Sequence, residues 1–210
     1  MYTLYYLPGA YSLAVHVALL EVGEKFDLVN VAVPDGQPRP AEFLKVNPRG
    51  NVPVLVKEGF VLREGAAILT MLLDEHKSPL LAQSGDARAT ALEWLAFANA
   101  SLHPAYGRVF FMMKALGAGF KDNAMYMPSV KALQILWDDV EQRLGSSEYL
   151  AGEHVSVVDI LVTVISNWTP LISQDITFGP KTTALFARVV ARPTYQKAME
   201  AENITRKVAA

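Results

Sequence analysis

No cysteine occurs among the 210 residues. Disulfides, thiolate nucleophiles and cysteine-ligated metals are therefore outside the chemistry of this chain. Charge is sparse as well: 19% of residues are charged, the formal net charge is −2, and no basic block is present. Neither nucleic acid nor an anionic membrane surface is an expected partner. The apolar runs are shorter than about 18 residues and carry charges, so none is expected to cross a bilayer. Residues 1–20 lack a basic leader and a cleavage site, and Met1-Tyr2-Thr3-Leu4 enters a strand-like run at once. The cytoplasm is the expected compartment. His16, His76 and His154 show no ligand spacing, and no metal site is expected. Walker, dinucleotide-binding and Ser-His-Asp signatures are missing.

What the chain has is apolar residues, 51% of the total. That composition favours folding over disorder, and the length allows one large domain or two small ones. The organising stretch is 47–68, NPRGNVPVLVKEGFVLREGAAI. Its apolar runs 52–56 and 60–62 are split by Lys57-Glu58-Gly59, the pattern of a hairpin. Pro53 cannot donate to a ladder and belongs at a strand edge or first residue. The Val52-Pro53 bond is of the kind that can be cis, which leaves the Val52 backbone exposed at a tight bend. Arg63-Glu64-Gly65 then opens a helix, whose free N–H groups and positive dipole end suit a carboxylate or phosphate. An exposed backbone edge beside an anion-favouring helix start is peptide-like recognition chemistry.

Taken in order, residues 3–7 predict a strand and Pro8-Gly9-Ala10 a turn. Ser12 caps a helix that runs to Gly23, and 26–33 is a second strand, parallel to the first. After the proline-rich loop 34–40, residues 41–46 form a short helix. The hairpin and a third helix complete a βαβαββα order. Residues 78–86 are a linker. Helical spacing then dominates: 87–116 with a kink at Pro104, 130–144, 182–190 and 193–201. Ser156 and Asp159 form a capping box ahead of an apolar run, a structural role.

Asn47-Pro48-Arg49-Gly50-Asn51-Val52-Pro53 and Glu64-Gly65-Ala66-Ala67-Ile68 resemble the second half of the glutathione-binding domain of glutathione S-transferases. Tyr149-Leu150-Ala151-Gly152 and the capping box resemble the hallmark of that family's helical domain. The segment from Tyr6 to Ala14 is similar to the bacterial beta class, which reads Tyr-x-x-Gly-Ala-Cys-Ser-Leu-Ala there. The resemblance spans nearly all 210 residues. It implies an α/β thioredoxin-like N-terminal domain over 1–77, the linker 78–86, and an all-α helical co-substrate domain over 87–210. It further implies a homodimer that conjugates glutathione, as co-substrate, to a small hydrophobic electrophile in detoxification. A glutathione-binding or ligand-carrying protein with little transferase activity, and a glutathione-dependent peroxidase, are the alternative readings.

The same resemblance assigns roles. Val52, next to Pro53, is expected to pair its backbone with glutathione. Asn51 adds a side-chain bond, Arg49 meets a carboxylate or is merely solvated, and Glu64 pairs with the γ-glutamyl ammonium. Gly65 stands where many relatives have serine, and its N–H still reaches the γ-glutamyl carboxylate. Ionising the thiol requires a donor to sulfur. Ser12 is read both as a plain cap and as that donor. Tyr11 replaces the beta-class cysteine, so thiol–disulfide chemistry is lost; its phenol is either a donor to sulfur or a packed ring. Tyr6 is either a catalytic hydroxyl or core. His103 matches a family histidine beside the active site, while Pro104 replaces the family's lysine; a structural histidine is the other reading. Tyr106 and Phe110 are either pocket lining or core.

Overall fold

The computed structural model describes residues 1–34 and 36–205. Residue 35 of the proline-rich loop and residues 206–210 of the expected helical domain lie outside the described residues. Two compact units divide the chain, one holding Met1–Gln83 with Ala191–Thr205 and the other Ser84–Val190.

The first unit holds β1 (Tyr2–Tyr6), α1 (Ser12–Val22), β2 (Phe26–Asn30), α2 (Ala41–Val46), β3 (Val54–Lys57), β4 (Phe60–Leu62) and α3 (Gly65–Glu75). This is a βαβαββα order. The sheet runs β2-β1-β3-β4. β1 is parallel to β2 and antiparallel to β3, with Tyr5 opposite Val54, and β3 and β4 form the hairpin. Alternation along β1 sends Tyr2, Leu4 and Tyr6 to one face and Thr3 and Tyr5 to the other. The Tyr2 hydroxyl donates to Glu75 of α3 at 2.9 Å, so the first face meets α3. Tyr5 stacks on Phe43 of α2 at 5.3 Å, so α2 covers the second. There Val31, Phe43 and Val54 form a buried cluster.

One more helix belongs to this unit. The sequence reading placed α10 (Pro193–Ala201) in the helical domain 87–210, but its packing groups it with α1. Arg192 donates two hydrogen bonds to Glu21 of α1, at 2.9 and 2.8 Å, and the Thr194 hydroxyl donates to the same carboxylate. Tyr195 and Ala198 are buried beneath. An apolar stripe shows that a helix has a partner, not which one.

The second unit is helical: α4 (Gly85–Phe97), α5 (His103–Leu116), α6 (Tyr126–Arg143), α7 (Val157–Ser166), α8 (Thr169–Ile172) and α9 (Pro180–Val190). The kink expected at Pro104 takes another form. A π-helical turn, Ala98–Leu102, separates α4 from α5, and Pro104 is the second residue of α5. Proline has no N–H for the carbonyl one turn back, and the wider turn accommodates that loss.

α7 is buried along its whole length. At its start the N–H and Oγ of Ser156 both donate to Oδ2 of Asp159 at 2.7 Å. Oδ1 of Asp159 accepts the Leu150 N–H at 2.9 Å. The capping box and the loop before it are thus one buried network. Replacing Asp159→Ala strips buried amides of their acceptor and removes the cap. The expected loss is about 2–4 kcal/mol in urea unfolding; a loss under about 0.5 kcal/mol would contradict this account of α7.

Candidate active site

The turn from β1 to α1 is fixed from within. Ser12 Oγ accepts the Leu7 N–H and donates to the Leu7 carbonyl, both at 3.2 Å, and the residue is fully buried. Tyr11, just before it, already has helical dihedrals. This corrects the reading of Ser12 as helix cap: its hydroxyl closes the turn on Leu7. Gly9, at φ +69°, occupies the left-handed region that favours glycine.

Tyr11 lies against the start of α3. A β-carbon built on Gly65 would stand 2.2 Å from Cε1 and 2.7 Å from both Cδ1 and Cζ of the Tyr11 ring. Non-bonded carbons do not approach so closely, so only glycine fits while the ring stays in place. The ring has little room to leave, since Tyr11 is 5% exposed. Burial pushes its phenol well above the ordinary tyrosine value, and the charge of Glu64 adds to the shift. Tyr11 therefore remains a neutral hydroxyl, able to donate, through the physiological range. Tyr6 is buried too, and burial with the charge of Glu202 raises its phenol.

The Val52-Pro53 peptide is cis, and Pro53 is buried. The β1–β3 ladder ends at Tyr5 opposite Val54, so Val52 lies two residues beyond its last pair. The Asn47 side chain donates to the Asn51 carbonyl at 2.8 Å and shapes this bend, while the Asn51 side chain is exposed. Arg49 pairs with Glu64 at 2.8 Å, with side chains 58% and 66% exposed. Val52, Glu64, Gly65 and Tyr11 thus belong to one unit.

In the second unit, His103 is half-buried, and burial holds its imidazole below the usual histidine value. Its ring meets Trp168 edge-on at 5.5 Å. Phe110, also half-buried, packs 6.2 Å from Trp168. Tyr106 is core rather than lining: it is fully buried, accepts the Trp137 Nε1–H at 2.9 Å and hydrogen-bonds Thr169. Nothing in the spacing of the sequence pointed to Trp168. Among the described residues no cluster of three or more metal-ligating side chains occurs.

Residues 9–75 match the family pattern described as glutathione S-transferase, N-terminal domain. Over 205 residues the chain is 30% identical to glutathione S-transferase GST-4.5 of Xanthomonas campestris pv. campestris, covering 96% of this chain and 98% of that one. The chain belongs to the glutathione S-transferase family. Among solved structures, the beta-class glutathione S-transferase of Sphingomonas chungbukensis is similar with a TM-score of 0.82 and 30% identity, over 97% of this chain and 100% of that one. A sphingomonad glutathione S-transferase complexed with glutathione has a TM-score of 0.83 at 29% identity, again over 97% and 100%.

Within the glutathione S-transferase frame, two departures noted in the sequence meet in space. Tyr11 stands for the beta-class cysteine and Gly65 for the serine of many relatives, and the ring fills the volume that a side chain at 65 would need. Gly65→Ala should therefore cost about 1–3 kcal/mol of stability through overpacking. In a Tyr11→Cys background the same change should cost much less. Equal losses in the two backgrounds, measured by urea unfolding, would show that the ring and residue 65 are not coupled.

Proposed function

We propose that this chain is a glutathione transferase that joins the glutathione thiol to a small hydrophobic electrophile, with the Tyr11 hydroxyl as donor to sulfur. The observation that carries the proposal is the Tyr11 ring packed on Gly65 at the start of α3. A free thiol has a pKa near 8.5, so little of it is thiolate at neutral pH. A neutral phenol that donates to sulfur favours the thiolate, and α3 presents N–H groups at its start. The thiol proton passes to solvent. Sulfur then forms a bond to the electrophilic carbon while that carbon's leaving group departs with its electron pair. Thiolate stabilisation and proximity supply the rate.

In this reading residues 1–77 bind glutathione. The Val52 backbone pairs with the cysteinyl backbone as an added strand would, with Pro53 beside it and Asn51 contributing its side chain. The Gly65 N–H and Arg49 take carboxylates. Glu64 takes the γ-glutamyl ammonium; its exposed pair with Arg49 is weak and readily exchanged. Ser12 and Tyr6 hold the turn and its floor. In the helical part, 87–210 after the linker 78–86, His103 contributes to glutathione, and Phe110 with Trp168 offers an aromatic face to the electrophile. The active form is a homodimer in the cytoplasm. The relative complexed with glutathione supports the choice of co-substrate.

The occupied Ser12 hydroxyl favours a second reading, in which glutathione is bound but not activated. Calorimetry with glutathione, alongside turnover of a chloronitroarene, separates the two. Glu64→Ala is expected to weaken binding about tenfold. Tyr11→Phe is expected to keep binding within a few-fold and lose about 10- to 100-fold in kcat. Binding without turnover of any electrophile by the wild type would replace this proposal with the ligand-binding reading.

A further inference from the structure

Glu202 follows α10 and is 3% exposed. Its Oε2 accepts the Gly9 N–H at 2.9 Å, and its Oε1 accepts Nδ1–H of His16 at 3.0 Å. His16 is itself 2% exposed and meets the Phe26 ring edge-on at 5.4 Å. A buried carboxylate persists only where hydrogen-bond donors surround it. Here the donors are an amide of the β1–α1 turn and a histidine on α1. Ile204 completes the contact, with Cδ1 3.7 Å from the point where a Gly9 β-carbon would stand. Three anchors thus fix the turn: Ser12 on Leu7, Tyr11 on Gly65, and Glu202 on Gly9. The last comes from a different part of the chain, with Glu202 and His16 186 positions apart.

We infer that Glu202, with His16, is a positioning residue for the reaction. Through the Gly9 amide it holds the turn 7–12 so that the Tyr11 hydroxyl meets the glutathione sulfur. This rests on the transferase reading above. The bond is made to the turn, two residues from Tyr11, rather than to a helix end. Displacing a reacting group by about 1 Å can cost on the order of 100-fold in rate.

The test compares Glu202→Ala, Glu202→Gln, His16→Ala and the control Arg192→Ala, each for kcat, KM for glutathione and melting temperature. Arg192→Ala removes the Arg192–Glu21 hydrogen bonds that help hold α10 to α1, without touching the turn. Glu202→Ala is expected to lose about 10- to 100-fold in kcat well below its melting temperature, with KM for glutathione within about threefold. Glu202→Gln keeps a carbonyl acceptor for the Gly9 N–H and is expected to recover most of kcat. His16→Ala is expected to lose kcat several-fold at similar KM, and it decides the matter should Glu202→Ala not fold. Arg192→Ala is expected to melt earlier with kcat near wild type. A folded Glu202→Ala, or in its absence His16→Ala, with wild-type kcat overturns the inference. So does a kcat that falls in step with melting temperature across all variants, Arg192→Ala included. A wild type that turns over no electrophile overturns the transferase reading and this inference with it, whereas turnover that survives Glu202→Ala overturns the inference alone.

Discussion

The Tyr11 ring fills the place where a β-carbon on Gly65 would stand, and both residues are buried. That close packing ties the turn after the first strand to the start of the third helix. It also sets the chemistry of the phenol. Burial and the nearby Glu64 keep the hydroxyl protonated, so it can donate to an anion but does not itself become one. The ring occupies the place a side chain at residue 65 would need, and residue 65 has none.

The two units share a device. In each, a carboxylate with almost no exposure accepts backbone amide hydrogen bonds, from a remote turn in one unit and from its own neighbourhood in the other. Glu202 takes Gly9, and Asp159 takes Leu150 and Ser156. Such groups are costly to bury and costly to leave unpaired, so they hold one arrangement rather than adding much net stability. In the helical unit the arrangement is the entry to α7. In the first unit it is the turn that carries Tyr11, and that places the end of the chain in the service of its beginning.

Much of this was legible in local pattern. Two short apolar runs split by Lys57-Glu58-Gly59 marked the hairpin, Glu64-Gly65 marked the start of α3, and Ser156 with Asp159 marked the start of α7. Each of those signals lies within a few residues. What escaped depends on contacts remote in sequence. Ser12 has the composition of a cap, but its hydroxyl turns back to Leu7. Pro104 announced an interruption, yet whether the helix kinks or widens depends on its packing. Tyr106 shares a helical stripe with Phe110, and only its bonds to Trp137 and Thr169 separate core from lining. His16 gave no sign of a partner because that partner is Glu202.

The central claim is that the Tyr11 hydroxyl stabilises the glutathione thiolate. Ultraviolet difference spectra of enzyme-bound glutathione across pH, for wild type and Tyr11→Phe, test it most directly, since phenylalanine keeps the ring on Gly65 and removes only the donor. The account predicts a bound thiol that ionises clearly below the free value of about 8.5 in the wild type and returns toward it in Tyr11→Phe. A wild-type value no lower than that of free glutathione, or the same lowered value in both proteins, would contradict it.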